Sequence, residues 1–261
     1  MKSFHYYLLS ILLLLLTSFG LQSCLDSTGP EQKEPKETYS HTLNPGVAAN
    51  DFLADSNYTD LVVEIDYMPG YAPNERALDS LKAFFQQRTQ KHSITIKKPT
   101  EISSGGQNQY SANEIRNLES EQRSTFTKED TLAAYFVILD GKYSEKDILG
   151  LAYYNTSNAF FGPSYDDASS GTGSPSRFQI EALSFRHEFG HLFGLVDVPN
   201  SGTEMQTPHK DPDHGNHCDN DQCLMYYATE TTDLVENTFS DEEIPPLDDN
   251  CIADLQANGG K

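Results

Sequence analysis

The most constraining feature of this chain is the sequence HEFGHLFG, which begins at His187 and ends at Gly194. Four residues span about one helical turn, so His187 and His191 project from the same face of a helix and can bind one metal ion. Glu188 follows the first histidine, which places its carboxylate beside the position that zinc leaves open for water. Gly194 is expected to end the helix, because glycine readily takes the left-handed conformation of a C-terminal cap. The pattern predicts a zinc-binding helix that carries its own general base, while two ordinary core histidines are the alternative.

The charge of the chain limits its partners. The 261 residues include 39 acidic and 18 basic side chains, which gives a net charge of -21. Affinity for nucleic acid comes from neutralising phosphates, so we expect no nucleic-acid partner. The length suits one domain of ordinary size, and we expect a monomer.

The N-terminus predicts export. Lys2 precedes a leucine-rich segment from Leu8 to Leu16, and the sequence LQSC then ends at Cys24. This arrangement resembles the lipobox of bacterial lipoproteins, which implies that residues 1–23 are a signal peptide and that Cys24 is lipidated. The residue after the cysteine is Leu25 rather than aspartate, so the resemblance implies a lipid anchor in the outer membrane, facing the periplasm or the outside. A plain secretory signal is the alternative.

A flexible tether is predicted over residues 24–50, which are polar and contain several prolines. The catalytic domain is therefore expected over residues 51–261. If Cys24 carries lipid, three cysteines remain in an oxidising compartment, namely Cys218, Cys223 and Cys251. Two of them can form a disulfide with one thiol left over, or all three can bind metal.

Three segments at the start of the domain predict a βαβ unit. Residues Thr59–Met68 are apolar and β-branched, as in a strand. Glu75–Gln90 carries leucine and phenylalanine at helical spacing, and Ser93–Lys97 alternates as a short strand does. This order favours a parallel pair of strands with a right-handed crossover.

The middle of the chain predicts one more helix and two more strands. A short polar helix is expected over Ser111–Ser120. The longest apolar run of the domain, Thr131–Leu139, predicts a central strand. Leu149–Asn155 predicts another strand, and the Gly- and Ser-rich stretch that continues to Pro175 predicts an exposed connection.

The helix that carries the motif is predicted over Ser176–Phe193. Ser174 suits its N-cap and Pro175 its first residue, since proline at that position loses no hydrogen bond. Residues 196–223 predict a long structured loop, of a kind that function or a bound metal holds in place. A last helix is predicted over Leu247–Ala257.

A catalytic zinc ion takes three protein ligands, so His187 and His191 need a third. Asp197 lies three residues past Gly194. The following loop also offers His209, His214 and His217.

A resemblance to a known family enters here. HExxHxxG followed by a methionine in a turn resembles the metzincin zinc peptidases, and the HC-x4-C-x-M segment from His217 to Met225 resembles that of archaemetzincins. The resemblance implies an α+β, zincin-like (metzincin) fold with a mixed twisted sheet, a βαβ start, an active-site helix and a loop-rich C-terminal part with a last helix. It also implies that His217 is the third ligand and that Met225 forms the Met-turn. The sequence departs from the family because residues 195–216 intervene and Asp197 occupies the usual ligand position, as in snapalysin-type peptidases.

A second metal follows from the same resemblance. Archaemetzincins complete a structural four-cysteine zinc site with a Cys-x-x-Cys pair, whereas this chain has Cys251 followed by Asp254. A structural zinc site of three cysteines and Asp254 and a disulfide are the two readings of this difference.

The expected activity is that of a zinc endopeptidase, a hydrolase acting on a peptide or protein substrate. Glu188 is predicted to act as general base. Tyr227 is a secondary candidate for stabilising the oxyanion, and the alternative is that it is an ordinary aromatic residue of a strand or turn. The substrate is expected to extend along an edge strand, for which Leu149–Asn155 is the candidate. The alternative is a surface lipoprotein that binds a partner and uses zinc only structurally.

Overall fold

The computed structural model describes residues 38–231 and 244–261. The predicted signal peptide, Cys24 and the first part of the predicted tether lie outside these residues. None of the helices in the two described ranges combines the length and the apolar character that crossing a membrane requires.

The fold is mixed α/β and is built on a six-stranded, mostly parallel sheet. In chain order the elements are α1 (Ala49–Leu53), β1 (Asp60–Tyr67), α2 (Glu75–Arg88), β2 (Ser93–Ile96), β3 (Thr100–Glu101), β4 (Gln109–Tyr110), α3 (Ala112–Gln122), β5 (Thr131–Leu139), β6 (Lys142–Tyr143), β7 (Gly150–Tyr154), β8 (Ser157–Phe161), α4 (Gly162–Ser169), α5 (Arg177–Leu192), a 3-10 helix (Tyr227–Glu230) and α6 (Asp249–Ala257). The strand order is β2-β1-β5-β8-β7, with β3 also paired to β1. Only the pairing of β7 with β8 is antiparallel among the pairs of this sheet.

Several predictions from periodicity are confirmed. The β1-α2-β2 segment is a βαβ unit with parallel strands. β5 spans the predicted residues Thr131–Leu139, is buried at every position after the first and lies between two strands, as its continuous apolar run requires. β7 lies at one end of the sheet, so the strand predicted from Leu149 is an edge strand.

The predicted exposed connection after β7 is wrong for its first part. That stretch contains β8 and α4, and every residue of β8 is buried. Two of the five residues of β8 are polar, which hid the strand from a search for apolar runs. Ser157 is accommodated because its hydroxyl donates to the buried carboxylate of Glu119 at 2.7 Å.

The domain also begins earlier than residue 51. Residues from Thr38 onward belong to the compact unit that runs to the C-terminus. Ala48 and Ala49 are 1% exposed, and the Nδ2 group of Asn155 donates to the carbonyl of Ser40 at 3.0 Å. The polar composition suggested a tether as far as residue 50, but α1 and these backbone contacts attach residues 38–50 to the domain.

The helix α5 is held between the sheet and two other helices. Phe185 packs on the sheet, with ring centroids 5.0 Å from Phe136 and 4.7 Å from Phe160. Further along the helix, Phe189 lies 4.8 Å from Phe85 of α2 and 6.2 Å from Phe52 of α1. Each fully buried side chain of this size contributes about 1.5–3 kcal/mol to the free energy of unfolding. The aromatic contacts therefore fix the position of the helix that carries the histidines.

Candidate metal centre

Both ends of α5 are capped by local sequence. Ser176 is the N-cap and forms a capping box with Gln179, so the predicted cap at Ser174 is wrong by two residues. At the other end, Gly194 has a φ of 85°, as predicted for the residue after the cap. The amide of Gly194 donates to the carbonyl of His191 and the amide of Leu195 to that of Gly190, both at 3.0 Å, which is the Schellman pattern. The chain therefore turns back directly below His191.

Three histidines meet at the C-terminal half of this helix. His187 and His191 come from α5 and His217 from the loop that follows it, and their potential ligand atoms all lie within 4.8 Å of one another. The three residues are 0–9% exposed. Two are local neighbours on one helical face, but the third is brought in from 26 residues further along the chain.

Backbone carbonyls orient all three rings. The Nδ1 atom of His187 lies 2.8 Å from the carbonyl oxygen of Leu224, and that of His191 lies 2.8 Å from that of Leu195. The Nδ1 atom of His217 lies 2.6 Å from the carbonyl oxygen of His214. A carbonyl only accepts, so each Nδ1 carries the proton and each Nε2 keeps its lone pair for a metal.

Burial favours the neutral, metal-binding form of the rings. It lowers the pKa of His187 well below its ordinary value, and the adjacent His191 and His217 lower it further. Burial also lowers the pKa of His191 to about 4, again with help from His217. The Nε2 atoms of His187 and His217 are buried and have no hydrogen-bond partner among the described residues. Buried nitrogens of this kind fit a metal ion as their missing partner.

Glu188 faces the histidine cluster from the same helix. It is 1% exposed, and burial raises the pKa of its carboxyl well above the ordinary value, with the nearby charge of Glu230 adding to the effect. The backbone amide of Ala152 in β7 donates to the carboxyl group, while Oε1 is buried without a partner among the described residues. One carboxyl oxygen is thus fixed and the other is free to exchange a proton.

Two glycines make room for this arrangement, and their role was not visible in the sequence. A β-carbon at Gly150 in β7 would lie 2.7 Å from Cγ of Glu188. A β-carbon at Gly190 would lie 2.3 Å from Sδ of Met225. Met225 is fully buried beneath the helix, at the place where the resemblance to metzincins implied a Met-turn.

The loop after α5 delivers His217 through its own backbone pairing. The amide of Asp211 donates to the carbonyl of His217 at 2.8 Å, and the amide of Cys218 donates to the carbonyl of Met225, also at 2.8 Å. The amide of Val196 donates to the carbonyl of Asn216 at 3.3 Å. His217 is therefore held between the turn below α5 and the Met225 segment, which explains how a ligand can follow the helix at such a distance.

The other three ligand candidates have different partners. Asp197 pairs with the Nζ group of Lys210 at 2.9 Å. His214 has its Nδ1 atom 2.7 Å from Oδ2 of Asp211. His209 lies in a second cluster, described below, so the structure brings only His217 of the four candidates to the other two histidines.

Tyr227 contacts a histidine outside the three-histidine cluster. Its ring stacks on that of His214 with centroids 3.5 Å apart, and its side chain is hydrogen-bonded to that of Tyr226. His214, in contrast, is among the described residues that line the adjacent cleft. The role of Tyr227 at the oxyanion stays a prediction.

Sequence reasoning missed Glu230, the last residue of the 3-10 helix. Its Oε2 atom lies 3.0 Å from Nε2 of His217. Burial would raise the pKa of this carboxyl, but the neighbouring His217 and His191 lower it. No motif marks this position, because its proximity to the histidines depends on the path of the chain after Met225.

A cleft of about 420 Å³ opens beside these residues. Glu188, His191, His217 and Glu230 line its floor, and the edge strand β7 contributes one wall through Leu151 and Ala152. A peptide in extended form can therefore reach the histidines while it lies along the edge of the sheet.

A second cluster of potential ligands lies behind His217. Ligand atoms of His209, Cys218, Asp248 and Cys251 are within 4.8 Å of one another. The sulfur of Cys223 is 3.5 Å from that of Cys251. All three cysteines are free and buried, so the alternative of a disulfide among them is not formed.

The predicted fourth ligand of this second cluster, Asp254, is placed elsewhere. Its Oδ2 atom lies 3.1 Å from Nε2 of His209, and its Oδ1 atom accepts from the amide of Gln206 at 2.6 Å. Asp254 therefore lies at the Nε2 side of His209, a position from which carboxylates commonly support metal-binding histidines. The periodicity of α6 does not reveal this, because His209 comes from a loop more than 40 residues away.

The sequence matches no family model and no curated protein. Among solved structures, archaemetzincin from Methanopyrus kandleri is similar, with a TM-score of 0.48 and 16% sequence identity over 78% of this chain and 96% of that chain. Metalloproteinase-II from Bacteroides fragilis is similar with a TM-score of 0.42 and 16% identity. That match covers 82% of this chain and 60% of the other.

Proposed function

We propose that this protein is a zinc-dependent endopeptidase, with His187, His191 and His217 as metal ligands and Glu188 as general base. The observation that carries the proposal is the unpartnered Oε1 atom of Glu188, buried beside three Nε2 lone pairs at the floor of an open cleft. A free carboxyl oxygen can accept a proton as a general base does, which a purely structural metal site would not require.

The ligand set suits catalytic zinc. Three imidazoles with no thiolate are typical of zinc sites that keep a position for water. When bound, zinc would polarise the scissile carbonyl and lower the pKa of water toward neutrality.

Glu188 moves the proton in the proposed reaction. Its free Oε1 takes the proton from the attacking water, while the amide of Ala152 holds the carboxyl group in place. The raised pKa brings its proton affinity closer to that of the water, which makes transfer in both directions easier. The same carboxyl then gives the proton to the amine nitrogen that leaves.

The substrate is proposed to be an extended peptide that adds to β7. This strand is at the edge of the sheet and its residues Leu151 and Ala152 line the cleft. Backbone hydrogen bonds along such an edge recognise peptide without fixing its sequence. The alternative of a partner-binding protein with a closed, structural zinc site fits less well, because the histidine cluster opens to a cleft.

The test of this function compares Glu188→Gln with the wild type on a mixed fluorogenic peptide library. We expect Glu188→Gln to retain one metal ion at the histidine cluster and to lose hydrolysis by at least about 1,000-fold, within the range of removing a general base. Exposed Glu204 provides the matched control, and Glu204→Gln should keep full activity. Full hydrolysis by metal-loaded Glu188→Gln would overturn the mechanism, and no hydrolysis by the wild type would favour the partner-binding alternative.

The third ligand is tested separately by metal content. His217→Ala should lose the catalytic metal, whereas Asp197→Asn should retain it, since Asp197 is paired with Lys210. The opposite result would show that Asp197 moves into the site when metal binds.

For the second cluster we propose a structural zinc ion held by Cys218, Cys223, Cys251 and His209. The three sulfurs are adjacent, and Cys223 also accepts from the amides of Met225 and Asp248 at 3.4 Å, as zinc-bound thiolates often do. Three thiolates and one histidine are a common structural zinc set. We expect two zinc ions per wild-type chain and one in His209→Ala, while substitution of an exposed residue of α6, Asp249→Asn, keeps both. One zinc ion in the wild type would contradict this site.

Anchoring through lipidated Cys24 remains a proposal that rests on residues 1–37. Expression in a Gram-negative host with labelled palmitate should label the wild type but not Cys24→Ser. A labelled Cys24→Ser variant, or an unlabelled wild type, would favour the plain secretory signal.

A further inference from the structure

We infer that Glu230 is a fourth, displaceable protein ligand of the ion at the three histidines, so that its carboxylate occupies the open position until substrate or water replaces it. This inference rests on the proposed metal site. It goes beyond that site because the carboxylate of Glu230 would control access to the metal, a role that the histidines and Glu188 do not have.

The backbone of Glu230 is fixed to the edge of the sheet. Its carbonyl accepts from the amide of Leu149 at 2.8 Å, and the next residue, Thr231, forms a β-bridge with Ile148. The backbone of Glu230 is therefore held by strand-like pairing at the start of β7, and its position does not depend on contacts of its side chain. Rotation about side-chain bonds alone can move the carboxylate toward or away from the histidines.

The contact between Glu230 and His217 has the form expected for two ligands of one ion. Oε2 and Nε2 are 3.0 Å apart. Two ligand atoms of a tetrahedral site with bonds of about 2.0 Å are separated by roughly 3.3 Å. The lone pair of this Nε2 faces the ion, because the Nδ1 atom of the ring is bound to a carbonyl.

Charge provides an independent argument. Three neutral imidazoles leave a divalent cation uncompensated in a buried site, which is unfavourable without a nearby anion. Glu188 and Glu230 are the carboxylates among the described residues that line the cleft, so they are the groups there that can offset the charge of a cation. Glu188 is required as a base with a free oxygen, so Glu230 is the carboxylate available for coordination.

In the proposed resting site Glu230 would therefore cover the metal. A peptide that binds along β7 would pass beside Glu230, since the backbone of this residue is attached to the start of that strand. Displacement of the carboxylate would then open the coordination position next to Glu188.

The test uses the folded, full-length protein loaded with Co²⁺ and involves no peptide. Visible absorption reports the coordination of Co²⁺, and competition with a chelator gives its dissociation constant. Glu230→Gln removes the charge, and Glu230→Asp keeps the charge but withdraws the carboxylate by one carbon-carbon bond. Exposed Glu204→Gln is the control, and thermal unfolding of each variant shows that it is folded.

We expect both Glu230 variants to bind Co²⁺ at least tenfold more weakly, to show an altered absorption spectrum and to bind azide at the metal at least tenfold more tightly. Wild-type affinity and spectrum in both variants would overturn the inference. The inference would also be overturned if Glu230→Gln weakened Co²⁺ binding and Glu230→Asp did not. The negative charge alone, without coordination by the carboxylate, would then explain the effect. Since no substrate is used, these outcomes do not depend on whether the protein hydrolyses peptides.

Discussion

The thioether of Met225 packs against the bare Cα of Gly190, where a β-carbon would lie 2.3 Å from Sδ. This contact lets the Met225 turn approach the helix between the two histidines of α5. The carbonyl of Leu224, next to Met225, orients the ring of His187 at 2.8 Å. A shift of Met225 is therefore expected to disturb the orientation of His187, a proposed metal ligand.

Gly190→Ala is expected to destabilise the protein by about 2–3 kcal/mol, because the added methyl group overpacks the contact with Met225. A loss of stability would point to the contact with Met225, because alanine is favoured over glycine by about 1 kcal/mol in an unhindered helix. Zinc affinity should fall as His187 loses its orientation. Urea unfolding and chelator competition measure the two effects. Met225→Ala provides the control background, in which Gly190→Ala should lose most of its destabilising effect.

Gly150→Ala is expected to lower the rate of peptide hydrolysis with the metal retained. The new β-carbon would lie 2.7 Å from Cγ of Glu188 and 2.9 Å from Oε1, so the carboxyl group must move. A displacement of about 1 Å at a catalytic group can cost about 100-fold in rate. Steady-state kinetics with parallel zinc analysis checks this outcome. In the Glu188→Gln variant, adding Gly150→Ala should lower the remaining rate of hydrolysis little further. If Gly150→Ala lowered that rate as much as it lowers the wild-type rate, its effect would lie in substrate binding at β7 instead.

Arg123→Met is expected to cost about 3–5 kcal/mol of unfolding free energy, because it leaves the buried carboxylate of Glu119 unpaired. Nη1 of Arg123 lies 2.8 Å from Oε1 of Glu119, and the two side chains are 1% and 2% exposed. Denaturant unfolding measures the loss. Lys128→Met, at an exposed ion pair with Glu129, should have no measurable effect. Adding Glu119→Gln to Arg123→Met should recover part of the stability, and no recovery would assign the loss to packing alone.

The metal-free protein is expected to lose stability as the pH falls from 7 to 5. The pKa of His191 is about 4 in the folded protein and about 6.5 when unfolded, so in this range the unfolded chain binds more protons. Stability therefore rises with pH, and His191 alone accounts for about 2 kcal/mol between pH 5 and pH 7. Urea unfolding at both pH values tests this. His191→Gln should show a smaller difference between the two, and an unchanged difference would mean that His191 titrates normally.

Much of the fold could be predicted from local pattern. The continuous apolar run of β5, the βαβ unit and the capped helix α5 follow from residue periods of two and 3.6 within short windows. The edge position of β7 also agrees with the prediction. β8 was missed because Ser157 and Asn158 interrupt its apolar pattern. The burial of Ser157 is permitted by its hydrogen bond to Glu119, a residue from a distant part of the chain.

The candidate site also combines residues that local spacing predicts with residues that only the folded chain brings together. The sequence by itself determined that His187, Glu188 and His191 share one helix, because a spacing of four residues fixes their relative positions. Only the tertiary structure decided that His217 rather than Asp197 joins them, that His209 rather than Asp254 faces the cysteines, and that Glu230 reaches the histidines. These residues approach through loop pairing and close packing between distant segments, such as Gly190 with Met225 and Gly150 with Glu188. Such contacts depend on where the folded chain returns, which no local spacing records.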